Sequence, residues 1–159
     1  LTHARAMVPL LTELLGLLGV DVESYEDLGD RLILSVEIHA EEAICPRCGM
    51  LSHRLHQNHG YLVRDLAISH YQTYLRVNRR QFKCSKCGKP FSEPLEFVGA
   101  RRTYTDRYAA WIVNQVKHSD TRNVALNEGL SDDLVWSMVE YMSKKTHHRC
   151  EWAATLRNR

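Results

Sequence analysis

No stretch of this chain stays apolar for the roughly 18 to 20 residues that a membrane-spanning helix needs. The most leucine-rich stretch, Met7 to Val20, is interrupted by Pro9, Glu13, Gly16 and Gly19. It also lacks a preceding positive region and a small-residue cleavage site, so it does not read as a secretory signal. A cytoplasmic protein with no membrane partner is expected. The chain has no phosphate-binding glycine loop and no convincing nucleophile–base pair. Asp65, Asp106, Asp120, Asp132 and Asp133 are scattered or placed to cap helices. They supply no set of three carboxylates on a strand-and-helix framework for two-metal phosphoryl transfer. An enzyme acting alone is therefore not expected.

Cysteine is scarce, and its placement is informative. Of five cysteines in 159 residues, four form the pairs Cys45-Pro46-Arg47-Cys48-Gly49 and Cys84-Ser85-Lys86-Cys87-Gly88; Cys150 falls outside the pattern. A tight turn puts both thiolates of each pair on one side of a loop, and the glycine that follows permits the positive φ such a turn favours. Together the pairs supply four soft anionic ligands for a closed tetrahedral site. Disulfides would need an oxidising compartment. A redox motif expects a single pair in a thioredoxin-like βαβ unit. His53, His56, His59 and His70 lie between the pairs and are alternative ligands or nucleic-acid-facing residues. Four cysteines argue for a structural zinc rather than a catalytic one, which would keep an open position.

Charge is divided sharply along the chain. Residues 1–44 hold two Arg against nine Asp and Glu, residues 45–110 twelve Lys and Arg against four, and residues 111–159 seven against six. A basic block centred on a metal module is the electrostatic footprint of a nucleic-acid binder, with an ordinary solvated face as the alternative.

The fold class expected is α+β: a small β-rich zinc-ribbon-like module followed by a three-helix helix-turn-helix domain. The segments are an N-terminal helix and β-hairpin (1–44), a zinc-binding domain (45–100), a helix-turn-helix domain (101–145) and an irregular tail (146–159). Residues 6–18 read as a helix closed by Gly19, with Met7, Leu10, Leu11, Leu14, Leu15 and Leu18 on one face. Strands follow over Val20 to Asp27 and Arg31 to His39, around a Gly29-Asp30 turn. Between the knuckles, Gly60 to Leu66 and Tyr71 to Phe82 read as strands. In the second, Tyr74, Arg76, Asn78 and Arg80 share one face, opposite Leu75, Val77 and Arg79. Such a ribbon can lie along a phosphate backbone.

After the Pro90 to Gly99 loop, Thr105 is placed to cap a helix from Asp106 to about Lys117, with Tyr108, Trp111, Ile112 and Val116 as its apolar stripe. Ser119 or Asp120 caps a second helix, Thr121 to Glu128, ended by Gly129. Ser131 caps a third, from Asp132 to about Lys145. Ala125, Gly129 and Val135 stand at the offsets of a helix-turn-helix. Val124, Leu130, Trp136 and Met138 are core candidates. An ordinary three-helix bundle is the alternative, and Asp132 and Asp133 at the start of the third helix would face phosphates. The candidate nucleic-acid contacts are Arg76, Arg79, Arg80, Lys83, Lys86, Arg101, Arg102, Arg122, Ser137 and Lys144.

Taken in order, Ile44-Cys45-Pro46-x-Cys48-Gly49, Val63-Arg64-Asp65-Leu66, Arg79-Arg80-Gln81-Phe82-x-Cys84-x-x-Cys87, Phe91-x-Glu93 and Arg101-Arg102-x-Tyr104-Thr105 resemble the N-terminal half of the ISL-three type bacterial insertion-sequence transposases. The resemblance covers about residues 8–145. It implies that Cys45, Cys48, Cys84 and Cys87 bind zinc and that residues 105–145 contact the terminal inverted repeats of the element. In that family an Asp-Asp-Glu catalytic domain of ribonuclease-H-like fold should begin soon after Lys145. The stretch from Thr146 to Arg159 does not look like its start, and there is no initiating methionine. The expectation is a truncated copy that retains DNA binding but not strand cutting. DNA is the expected partner, with a homodimer or a full-length transposase besides. The rival is a zinc-ribbon protein-interaction or regulatory module.

Overall fold

The structure, a computed structural model, describes the backbone of residues 2–157 and the side chains of residues 7–146. It divides into two units, Leu1–Thr105 and Asp106–Arg159. Among the described residues no helix is long and apolar enough to cross a membrane.

In the first unit, helix α1 (Thr2–Leu15) precedes strands β1 (Val20–Asp27) and β2 (Arg31–Ile38), the short pair β3 (Ala43–Ile44) and β4 (Leu51–Ser52), and then β5 (Leu55–Arg64), β6 (Gln72–Lys83) and β7 (Pro90–Ser92). The main sheet runs β1-β2-β6-β5, with β7 added to β6. β1 and β2 form the expected hairpin. Its turn uses Gly29 at φ 89°, whose N–H donates to Asp27 Oδ1 at 2.9 Å. β2 pairs with β6 in parallel, Leu34 beside Leu75 and Val36 beside Val77, while β5 pairs with β6 antiparallel. This ladder joins the N-terminal hairpin and the zinc-binding segment, expected as separate segments 1–44 and 45–100, in one sheet.

Period-two alternation puts Leu32, Leu34, Val36, Val63, Leu75 and Val77 on one face, where Leu11 and Leu15 of α1 and Val98 close the core. The helix begins at Thr2 rather than at residue 6, and it differs from expectation in two further ways. It ends at Leu15, because Gly16 takes φ 60° and returns its N–H to the Thr12 carbonyl at 3.1 Å. Of the six residues expected on its buried face only Leu11 and Leu15 are buried, and Met7, Leu10, Leu14 and Leu18 are exposed. The face is set by the sheet: Thr12 Oγ1 accepts from the Val22 N–H at 2.9 Å, which turns the Val8, Leu11, Leu15 side inward.

β5 begins five residues earlier than expected, at Leu55 rather than Gly60. Residues 55–60 are all exposed, so this part is held by its ladder with β6 and not by burial. No apolar alternation marks it.

The second unit holds α2 (Asp106–Lys117), α3 (Thr121–Glu128) and α4 (Asp132–Arg157). Asp120 caps α3, accepting from Asn123 N at 2.8 Å. Gly129 at φ 65° ends it, and Leu130 N returns to Ala125 O at 2.8 Å. Ser131 Oγ accepts from Leu134 N at 3.2 Å and starts α4. Tyr108, Ala109, Ile112, Val124, Ala125, Val135 and Met138 are buried. Trp136, expected in this core, is exposed, as is Trp111, and Leu130 is half-buried. The helix turns about 100° per residue, so once Val135 and Met138 face inward, Trp136 is carried away from them. α4 also continues past Lys145 to Arg157 in place of the expected irregular tail. No glycine or proline between Asp132 and Arg157 interrupts it. Cys150 lies outside the residues whose side chains are described.

Leu15 is 1% exposed beneath the sheet. Leu15→Ala is expected to lower the unfolding free energy by about 2–5 kcal/mol, the range for a buried leucine that leaves a cavity. Urea denaturation measures this, and an unchanged midpoint would contradict the packing of α1.

Candidate metal centre and nucleic-acid interface

The two cysteine pairs sit on the turns of two hairpins, β3–β4 and β6–β7, and the turns are built alike. Cys45 N donates to Met50 O at 2.9 Å and Cys84 N to Lys89 O at 3.1 Å. Gly49 N returns to Cys45 O at 2.9 Å and Gly88 N to Cys84 O at 3.0 Å. Gly49 and Gly88 have φ of 69° and 68°, a region that costs a residue with a Cβ about 1–2 kcal/mol. The hairpins are tied to each other by Ser52 Oγ, which donates to Lys83 O at 2.7 Å, and by the Arg47 guanidinium, which donates to Pro90 O at 3.2 Å. Phe82 and Phe91 stack beneath, with ring centroids 6.1 Å apart, and pack with Ala43, Cys45 and Cys84.

This brings Cys45, Cys48, Cys84 and Cys87 together with all four sulfurs within 4.8 Å of one another. Cys45 Sγ lies 3.8 Å from Cys87 Sγ, and Cys48 Sγ 3.5 Å from Cys84 Sγ. A tetrahedron with Zn–S bonds of about 2.3 Å has edges of about 3.8 Å, whereas a disulfide needs S–S of about 2.05 Å. The geometry fits zinc and excludes disulfides. None of His53, His56, His59 or His70 joins the cluster.

The thiols are prepared for a cation. The Arg47 N–H holds Cys45 below its ordinary pKa, and the Cys87 N–H, 3.5 Å from Cys84 Sγ, brings Cys84 down to about 6. Cys48 receives an N–H from Met50, yet its neighbouring sulfurs push it up to about 11. Four sulfurs this close cannot all ionise unless a cation sits between them. Zinc supplies that charge, and all four can then bind as thiolates.

The basic residues of the ribbon divide into engaged and free. Arg76 donates to Glu26 Oε1 at 2.6 Å and to Ser35 Oγ at 3.3 Å. Arg80 grips the buried Glu93 with both arms of its fork, Nε to Oε1 at 3.0 Å and Nη2 to Oε2 at 2.8 Å, and also donates to the Ala40 carbonyl. Glu93 Oε1 accepts the Arg80 backbone N–H as well, at 3.1 Å. Arg80 is therefore part of the framework that holds β6, β7 and the chain after β2. Arg79, its neighbour, has no acidic partner among the described residues; its guanidinium lies over the Tyr61 ring, 5.2 Å from the centroid. Arg79 Nε and the Tyr61 hydroxyl are buried without a hydrogen-bond partner among those residues.

Of the other candidates in the first unit, Lys83 is half-buried beside the second knuckle, Lys86 is exposed on it, and Arg101 is exposed at φ 59°. Arg102 lies 6.0 Å from the Tyr104 ring centroid. In the second unit, Arg122 is exposed near the start of α3, and on α4 Ser137 is half-buried and Lys144 exposed. Glu93, the residue that immobilises Arg80, is not among the sequence candidates; its only sequence signal is its place in Phe91-x-Glu93.

A four-cysteine zinc ribbon followed by a capped helix-turn-helix defines a metal-stabilised module of the DNA-binding type. Residues 41–87 match the family model described as the zinc-finger of transposase IS204/IS1001/IS1096/IS1165, and residues 93–141 match the helix-turn-helix domain of transposase family ISL3. Over these residues the chain carries the zinc ribbon and the helix-turn-helix of the ISL3 transposase family, and its four cysteines are a structural zinc site. It is 33% identical over 127 residues to the "Transposase for insertion sequence element IS1001" of Bordetella parapertussis, an alignment covering 79% of this chain and 30% of that protein. The chain thus spans less than a third of the length of this relative. No solved structure matches it.

Cys84→Ser is expected to abolish zinc binding, from one ion per chain to none, and to unfold the segment between the knuckles, because metal affinity there is folding free energy. Zinc analysis together with circular dichroism measures both, and retained zinc with a native melt would contradict the site. Glu93→Gln, which leaves the Arg80 guanidinium without its carboxylate, is expected to lower stability by about 3 kcal/mol in urea denaturation.

Proposed function

We propose that this chain is the DNA-binding portion of a transposase, acting in the cytoplasm, and that it recognises the terminal inverted repeats of an insertion sequence. The observation that carries the reading is the ISL3 zinc ribbon and helix-turn-helix in order on one chain, with the metal site geometrically complete. Lys86 and Arg101 supply charge for phosphates from the first unit, and Arg122 and Lys144 from the second, while Arg79 adds a cation on the β6 face. Strand cutting and joining are not assigned to these residues. A homodimer or a complex with a longer transposase would place two such modules on paired repeats.

One observation favours a second reading, a protein-interaction module. The start of α4 exposes Asp132, Asp133, Trp136 and Glu140, an acidic and aromatic surface poorly matched to a phosphate backbone.

Duplexes selected by the purified chain from a randomised pool test the leading reading. The recovered sequence is expected as an inverted pair flanking the chain's own coding sequence, and a pool without a consensus would contradict repeat recognition. Affinity for the selected duplex is expected to fall about 100-fold on raising salt from 50 to 200 mM, the effect of releasing counterions at about four phosphates. A flat dependence would move the weight to protein docking. Arg79→Glu is expected to weaken binding with the fold intact.

A further inference from the structure

Beyond the end of β2, β5 and β6 continue as an antiparallel ribbon, two-stranded over Asn78 to Arg80 and joined by β7 on the other edge of β6 from Gln81 onward, and its register sorts the side chains. Gln57 stands opposite Gln81 and His59 opposite Arg79. Alternation places these four on the sheet face that carries Val63, Leu75 and Val77, but past the part that α1 covers. Gln57 and His59 are exposed, and Gln81 and Arg79 half-buried. Among the described residues the side chains of Gln57, His59 and Gln81 have no hydrogen-bond partner. Arg79 has only its contact with the Tyr61 ring, and its Nε is buried and unsatisfied. On the opposite face of the ribbon Arg80 is locked by Glu93 and Phe82 packs on the zinc hairpins, with Asn58 and Asn78 exposed.

Two amides, an imidazole and an unpaired guanidinium on one face of a ribbon are the donor and acceptor set that reads base edges. Glutamine binds adenine N6 and N7 in bidentate fashion, and arginine binds guanine O6 and N7. A two-stranded ribbon fits the major groove, which is about 12 Å wide. Residues two apart on a strand, such as Arg79 and Gln81, are separated by about 6.8 Å, two base steps at about 3.4 Å each. The acidic start of α4 offers no comparable set.

We infer that the β5–β6 ribbon of the zinc unit reads bases directly in the major groove of DNA. Arg79 and Gln81 contact a guanine and an adenine two steps apart, with Gln57 and His59 beside them. The inference rests on the DNA-binding reading above and assigns base recognition to the ribbon in addition to the helix-turn-helix.

The test compares the wild-type chain with the double variant Gln57→Ala/Gln81→Ala and the single variant Arg79→Ala. Each is titrated by fluorescence anisotropy onto the duplex selected by the wild type and onto a scrambled duplex of the same composition. Zinc content and melting temperature are checked in each sample. The double variant is expected to lose roughly 5- to 150-fold in affinity for the selected duplex, the discrimination of a bidentate pair, with affinity for the scrambled duplex unchanged. Reselection with that variant should show relaxed preference at an adenine, and with Arg79→Ala at a guanine two steps away. An unchanged ratio between the duplexes would overturn the inference while leaving DNA binding in place. Equal loss on both would make these residues phosphate contacts and overturn it too. Dissociation of a dimer in sedimentation equilibrium, with base preference unaltered, would overturn it in favour of contact between copies. A wild-type chain that binds neither duplex would overturn this inference and the DNA-binding reading together.

Discussion

Four sulfur atoms hold together parts of the chain that burial alone would not. Cys45 and Cys87 are 42 residues apart, and each knuckle is a tight turn at the end of a short hairpin. The apolar cluster beneath them consists of Ala43, Phe82 and Phe91 with the cysteines themselves, little area for so small a module to bury. The thiolate–metal bonds replace the missing core. They anchor the far end of β6, whose other end is the central strand of the main sheet. One strand therefore runs from a conventional hydrophobic core into a metal-held one.

That shared strand explains how the basic charge is apportioned. Arginines along β6 alternate between faces, and the faces have different work. Arg76 and Arg80 meet Glu26 and Glu93, and the buried Glu93 makes the second pair a cross-link of the framework. Arg79, on the other face, meets an aromatic ring and, among the described residues, no acid. Two adjacent arginines in a basic block, alike in composition, thus serve different purposes: one holds the fold, the other is available to a ligand. Counting charge over residues 45–110 cannot make that distinction, because ion pairing is decided by which acidic residues the sheet brings alongside.

Much of this architecture is legible in the sequence. The spacing Cys-x-x-Cys-Gly twice over determines the knuckles, since a thiolate-presenting turn needs its glycine just where Gly49 and Gly88 fall. Asp120, Gly129 and Ser131 mark the ends of α3 and the start of α4 because helix ends expose backbone groups that these residues satisfy. Strongly alternating strands such as β2 were equally clear. The misreadings share a cause. α1 has leucines on more than one side, so its inward face depended on the sheet it meets. Residues 56–59 are polar throughout and form a strand because β6 is beside them. Trp136 was expected inside by hydrophobicity, but helix phase carried it out.

The amino-acid sequence by itself determined the metal ligands, the ends of α3 and the start of α4, and the division of charge along the chain. Each depends on local chemistry between residues close in sequence. Only the tertiary structure decided which face of α1 is buried, that β2 lies parallel to β6, that Arg80 is bound and Arg79 free, and that Gln57, His59, Arg79 and Gln81 share one surface. Those outcomes depend on register between strands up to tens of residues apart, where a shift of one position exchanges the faces, and no local pattern in the polar part of β5 specifies that register.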